Sequence, residues 1–187
     1  PLRSGKTSVW EGGVRVPCVV RAPSKVPAGG SCDLVTSTMD ILPTLASLAG
    51  AEVPTDRVID GCDISKILHG KQRKLARSLF YYQHLDLRAV RSGKWKLYLP
   101  HQPYHQEFIK SRVISAFAPN SVHIAPEDRV FFSEPMLYDL ESDISESRNV
   151  VGENPKVVER LMKELEWAAK DIGCYEGGRG VNARVEK

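Results

Sequence analysis

An amphipathic segment near the carboxyl end constrains this chain more than any other feature. From Asn154-Pro155 onward, Val158, Leu161, Met162, Leu165, Ala169 and Ile172 recur at helical spacing and stop at Gly173, the signature of a helix with one apolar stripe. A first-turn proline costs nothing, since its missing N–H has no intrahelical acceptor to lose, and Asn154 is the expected cap. The charges between the apolar positions, Lys156, Glu159, Lys163, Glu164 and Lys170, form a solvated face. Such a helix must bury its stripe on something, most simply the antiparallel strands that precede it. SLFYYQ (78–83), RAVRSGKWKLYL (88–99) and MLYDL (136–140) have the β-branched and aromatic content of strands. Ser92-Gly93 marks a hairpin turn between two of them. Lys94, Trp95 and Lys96 alternate as in a strand with one face in water, which makes Trp95 a packing residue rather than a sugar platform.

The upstream half has a different texture. VRVPCVVR (14–21) is predicted as a short strand with Pro17 near its start or edge, followed by the Pro/Gly-dense loop APSKVPAGGS. Ile41, Leu42, Leu45, Leu48 and Ala49 predict a helix over 40–49, with Asp40 as cap, Pro43 in the first turn and Gly50 as stop. A shorter helix is expected over 64–68, capped by Asp63 and closed by Gly70. The charged stretch GKQRKLAR (70–77) is the expected boundary, giving domains 1–73 and 74–187. Residues 100–135 show no period and contain Pro100, Pro103, Pro119, Pro126 and Pro135, which reads as a long irregular insertion.

Composition narrows the function classes. With 42% hydrophobic and 26% charged residues the chain can build a packed core. A net charge of +3, evenly spread, lacks the concentrated patch of nucleic-acid binders, and no apolar run is long enough to span a bilayer. The first residue is Pro1, so a preceding segment is expected and the lack of a leader says nothing of compartment. The four cysteines have no metal-ligand spacing. Cys18 and Cys62, in apolar settings, are expected to be buried free thiols, and a Cys32–Cys174 bridge stays open.

GKTSVWEGG, near the start, has the parts of an anion site: a lysine point charge, two hydroxyls, and glycines that let backbone N–H groups approach an oxyanion. It is not a phosphate P-loop, because the G-x-x-x-x-G-K-[ST] spacing is absent. On spacing alone a plain turn leading into a strand, with a solvated lysine, is the preferred reading. The wider pattern is more specific. GKTSVWEGGVRVP, a Pro/Gly loop, STMDILPTLASLAG and IDGCDI, then FYY, AVRSGKWKLY, LYDLESDISESRNV, the terminal helix and GGRGVNARVEK resemble, in that order, the C-terminal third of the arylsulfatase-type sulfatases.

The resemblance implies an α/β fold: an alkaline-phosphatase-like fragment comprising the edge of the large α/β domain plus a small antiparallel sheet packed by the C-terminal helix. It implies a sulfuric ester hydrolase, periplasmic or secreted, whose partner is a sulfated small molecule or carbohydrate, with neither nucleic acid nor a membrane span involved. It also implies a formylglycine nucleophile and a Ca2+ ion that holds sulfate oxygens. No C-x-P-S-R or C-x-A-x-R motif surrounds Cys18, Cys32, Cys62 or Cys174. Nucleophile and metal ligands are therefore expected upstream, and this chain alone is expected to be inactive.

Only Lys6 falls on a family catalytic position, that of the lysine in G-K-x-x-x-[WYF]-E-G-G, implied to donate to a sulfate oxygen and to the bridging oxygen. Glu11, Gly12, Gly13 and Arg15 are expected to serve structure, the glycines in a tight turn and the charges paired. His84, after the FYY strand, and His101 and His105, in the insertion, are candidate substrate-binding residues, with a plain surface histidine as the alternative for His84. Pro103 argues against a helical His101/His105 metal pair. Asp40, Asp60 and Asp63 read as cap and turn residues, so no metal ligand is assigned. Two rivals stay open, a phosphate or phosphonate ester hydrolase of the same superfamily and a non-catalytic glycan- or protein-binding module.

Overall fold

The computed structural model describes residues 1–6, 8–83, 86–100 and 133–172, with the backbone of 175–176 and 179–180. In chain order the elements are α1 (Glu11–Val14), α2 (Ile41–Ala49), α3 (Ser65–Leu68), β1 (Ser78–Gln83), β2 (Asp86–Ser92), β3 (Trp95–Tyr98), β4 (Met136–Asp139), α4 (Pro155–Asp171), β5 (Tyr175–Glu176) and β6 (Arg179–Gly180). The chain divides into two compact units, Pro1–Val16 with Arg77–Lys187, and Pro17–Ala76.

The first unit is built on an antiparallel sheet in the order β1-β2-β3-β4. Gly93 and Lys94 make the β2–β3 turn, one position later than the sequence suggests, because Ser92 pairs with Trp95 and Gly93 takes φ +61, a conformation that suits glycine. Strand alternation sorts the side chains. Val90, Leu97 and Leu137 lie in register on one face, where Leu161, Leu165 and Ala168 of α4 cover them. Trp95 packs at the margin of that cluster, as expected of it.

Helix α4 matches its predicted extent and stripe, but Asn154 does not cap it: its side-chain amide donates instead to the Val150 carbonyl at 3.1 Å. The expected stop, Gly173, lies outside the described residues. On the outer side, Lys163–Glu159 and Arg160–Glu164 pair one turn apart, as a solvated face allows.

The opposite sheet face corrects the sequence reading. Residues 89, 91, 96, 98, 136 and 138 point there, and Lys96, expected in water, is fully buried. Period-2 alternation shows which residues share a face but not whether another segment covers it. Here residues 3–15 do.

In the second unit the two sulfatase-like motifs hold each other. Asp40, fully buried, is not the helix cap: its Oδ2 accepts the Ser37 N–H at 2.8 Å, its Oδ1 accepts the Cys62 N–H at 3.0 Å, and Ser37 caps the short turn 38–40. Thr44 Oγ1 accepts the Ile64 N–H at 3.0 Å. The Asp and Thr of D-x-x-P-T thus close the loop carrying D-G-x-D. Gly61 lies so near the Met39 carbonyl that an added Cβ would meet its oxygen at 1.9 Å. The N-cap of α3 is Ile64 rather than the expected Asp63, whose carboxylate, one residue earlier, accepts from the Ser65 N–H and hydroxyl at 2.7 and 3.0 Å; Gly50 ends α2 at φ +70.

Two further expectations fail in this half. Residues 15–21 have no strand partner among the described residues, and Val16, Val19 and Val20 are 72%, 94% and 44% exposed. β-Branched content measures fit to a pleated surface, and without a neighbouring strand it makes no sheet. Cys18 is accordingly exposed rather than buried; Cys62 is half-buried, and Cys32 is a free exposed thiol. Cys174 lies outside the described residues.

Candidate functional site

The site is built around the turn that carries Lys6. Gly5 accepts from the Ser8 N–H at 3.2 Å and from Ser8 Oγ at 2.9 Å, and between them Lys6 is exposed. With no described residue does Lys6 form an ion pair or hydrogen bond. The turn leans on α1 through glycine backbone. Gly12 N–H donates to the Arg3 carbonyl at 2.9 Å, and a Cβ on Gly12 would meet the Ser4 oxygen at 2.3 Å. A Cβ on Gly13 would meet the Ser8 and Gly5 oxygens at 2.3 and 2.5 Å. The paired glycines of E-G-G are therefore required by close backbone approach.

Beneath α1 lies a buried charge network. Glu11 Oε1 accepts from Lys96 Nζ at 2.8 Å, and Oε2 accepts from Arg91 at 2.9 Å and Arg15 at 2.7 Å. Lys96 also donates to the Val9 carbonyl at 2.7 Å and lies 3.4 Å from Glu146. Glu146 accepts the Glu11 N–H at 2.8 Å and the Tyr98 hydroxyl. Lys96, Glu11 and Glu146 are all fully buried. Trp10, 1% exposed, completes the seat by stacking on Tyr98 at 4.3 Å and meeting Tyr138 edge-on at 5.8 Å, while the Arg3 guanidinium covers it at 3.7 Å.

Glu146 is itself held in a left-handed conformation, φ +53, which an L-residue adopts only when its surroundings insist. Asp143 supplies the insistence: Oδ2 accepts the Ser147 and Arg148 N–H groups at 2.8 Å each, and Oδ1 accepts the Ser145 and Ser147 hydroxyls at 2.9 Å each. Arg3 then donates to the Glu146 carbonyl at 2.8 Å. The polar run LESDISESRN is the mount for a buried carboxylate.

The electrostatics follow from that packing. Burial alone would raise the Glu11 carboxyl, but the charges of Lys96 and Arg91 and the bonds from Lys96 and Arg15 outweigh it, holding the group below its usual 4.5. Burial pulls Lys96 below its usual 10.5, against the charges of Glu146 and Glu11. Burial and the Glu146 charge drive the Tyr98 phenol well above its ordinary range, and burial with the Glu11 charge pushes Tyr81 to about 12. Because Glu11 titrates lower when folded than when unfolded, its contribution is present above about 4.5 and lost as pH falls toward the folded value. Urea unfolding midpoints should therefore drop as pH descends from neutral to about 3. Glu11→Gln should flatten that slope, and an equal slope in both proteins would refute the assignment.

Among the sequence candidates, only Lys6 falls on described structure; His84, His101 and His105 lie outside the described residues. Glu11 and Arg15 pair as expected. Sequence reasoning missed Lys96 and Glu146. A signal for the first was available: Arg91 and Lys96 are cross-strand partners, and two cations directly opposite one another require an anion between them. Glu146 had no such signal, since its place depends on a loop with no periodicity. Among the described residues no group of three or more His, Cys, Asp or Glu side chains could hold a metal ion. Asp40 and Asp63 spend their carboxylates on backbone N–H groups. The donor set for calcium is thus not found in the described part of this chain.

This architecture is that of the carboxyl-terminal part of an alkaline-phosphatase-like esterase. A solved structure titled for glycosaminoglycan metabolism by Bacteroides thetaiotaomicron matches with a TM-score of 0.66 and 28% identity, covering 89% of this chain and 31% of that one. The C-terminal region of aryl-sulfatase matches residues 74–176, and the C-terminal part of N-sulphoglucosamine sulphohydrolase matches residues 5–105. The chain belongs to the sulfatase family. Mouse steryl-sulfatase is 37% identical over 90% of this chain, and human arylsulfatase A is 35% identical over 99% of it. The chain spans 27% and 37%, respectively, of those two proteins.

Proposed function

We propose that this chain is the C-terminal portion of a sulfatase that hydrolyses sulfate esters, of carbohydrates or aryl alcohols, and that Lys6 is its contribution to the reaction. The observation that carries the reading is the exposed lysine on a turn whose underside is fixed by buried charge. Hydrolysis at sulfur builds negative charge on the oxygens around the sulfuryl group and on the departing alkoxide. A preorganised ammonium aimed at those oxygens stabilises that charge, and lysine brings it on a flexible stem.

A formylglycine would supply the nucleophile and a calcium ion would neutralise sulfate oxygens. Neither is provided by the described residues. Residues 1–73 are assigned to the large α/β domain and 74–187 to the C-terminal subdomain; the compact units of this chain differ in giving residues 1–16 to the sheet. His84, His101 and His105 are assigned to substrate contact. The relatives are named for steryl and aryl sulfates and one solved structure for glycosaminoglycan metabolism, so the alcohol is left to be chosen by the rest of the pocket. No helix of the described residues is long and apolar enough to cross a membrane, and the assigned compartment is periplasmic or secreted.

The test is Lys6→Ala in the full-length enzyme, with para-nitrophenyl sulfate as substrate. Loss of one preorganised donor should lower kcat by about 10²–10³. Wild-type kcat in that variant would remove Lys6 from the reaction.

A further inference from the structure

We propose that the buried Glu11–Lys96–Glu146 network positions Lys6, making these three side chains positioning residues for sulfuryl transfer. The inference rests on the assignment of Lys6 above and extends it to residues that never meet substrate. A flexible lysine at a protein surface has no defined place of its own. Here the placement is transmitted in rigid steps, each visible as a contact.

The first step fixes α1. Its only charged residue, Glu11, is gripped through both carboxylate oxygens by cations of β2 and β3, and its backbone N–H is gripped by Glu146. The helix can neither rotate nor translate without breaking several charge-assisted bonds in a region from which water is excluded. The second step fixes the turn. Gly12 lies against the backbone of Arg3 and Ser4, and Gly13 against the backbone of Gly5 and Ser8 and the Ser8 hydroxyl, too close in each case to admit a Cβ, so the two segments move as one piece. A third contact closes the loop: Arg3, immediately before the turn, is tied to the Glu146 carbonyl and stacked on Trp10. Both non-glycine residues of this region that adopt left-handed backbone, Ser4 at φ +58 and Glu146 at φ +53, lie on this path. Apolar side chains of the same volume often stabilise a fold as well as buried ions or better. What ions add is a single permitted geometry.

The discriminating experiment is a double-mutant cycle in the full-length enzyme, again with para-nitrophenyl sulfate. Glu11→Gln keeps the shape of the side chain and removes its charge. Gly13→Ala leaves every charge in place and wedges a methyl against the turn. Each should lower kcat by about 10²-fold with KM little changed, the penalty of a catalytic group displaced by about 1 Å. Combined with Lys6→Ala, neither should slow the enzyme further, because a positioning residue has nothing left to position. Multiplicative losses in the double variants would mean general damage and would overturn the proposal, as would wild-type kcat in both single variants. If Lys6→Ala alone keeps wild-type kcat, the underlying assignment fails instead. Near-ultraviolet circular dichroism establishes that each variant is folded; should Glu11→Gln not fold, Gly13→Ala carries the cycle.

Discussion

Lys96→Met is expected to destabilise the protein by about 3–5 kcal/mol, the usual consequence of removing one member of a buried ion pair. Methionine replaces the stem of the lysine with little change in volume, so the loss isolates the ammonium. Without it Glu11 retains Arg91 and Arg15 but loses the donor at Oε1, Glu146 loses its nearest cation, and the Val9 carbonyl keeps only the longer bond from Tyr98 at 3.3 Å. None of these groups can turn to water, because Lys96, Glu11 and Glu146 are fully covered. An exposed pair would be worth at most about 1 kcal/mol. Urea unfolding of wild type and variant measures the difference, and a loss below that figure would mean the network is hydrated.

Trp10→Ala should cost a similar amount, about 3–5 kcal/mol, by a different route. The indole is the largest apolar body between residues 3–15 and the sheet, with Tyr98 against its face, Tyr138 at its edge and Arg3 above it. Removing it opens a cavity whose walls are two phenols and a guanidinium, none of which can collapse inward without breaking its own hydrogen bonds. The amino-terminal strip should then lift more readily. Limited proteolysis cutting within residues 3–15 in the variant but not in wild type would show it, and equal protease resistance would count against this account of the strip.

How much of this was legible beforehand differs element by element. The terminal helix and strands β1 to β4 could be read because their apolar residues repeat with the period of the element, and local period survives without knowledge of tertiary partners. The motif residues Asp40, Thr44 and Gly61 could be recognised as a set, but their reason is a mutual one that appears only when the two loops are placed together. Lys96 was misread because a lysine in a strand is ordinarily a mark of solvent. The segment from Val16 to Val20 was misread for the complementary reason, strand composition without a strand partner. Lys6 and the paired Glu11 could be read from the motif, whereas Lys96 and Glu146, which hold Glu11, emerge only from the geometry.

The bonds that seat the lysine turn join segments far apart in this sequence. Arg3 reaches a residue 143 positions away and Glu11 one 135 positions away. During synthesis residues 3–11 gain these bonds only after Glu146 has left the ribosome, so the turn that carries Lys6 is seated late. Truncating the gene anywhere before that codon would leave a strip with no place to dock, however intact its own motif.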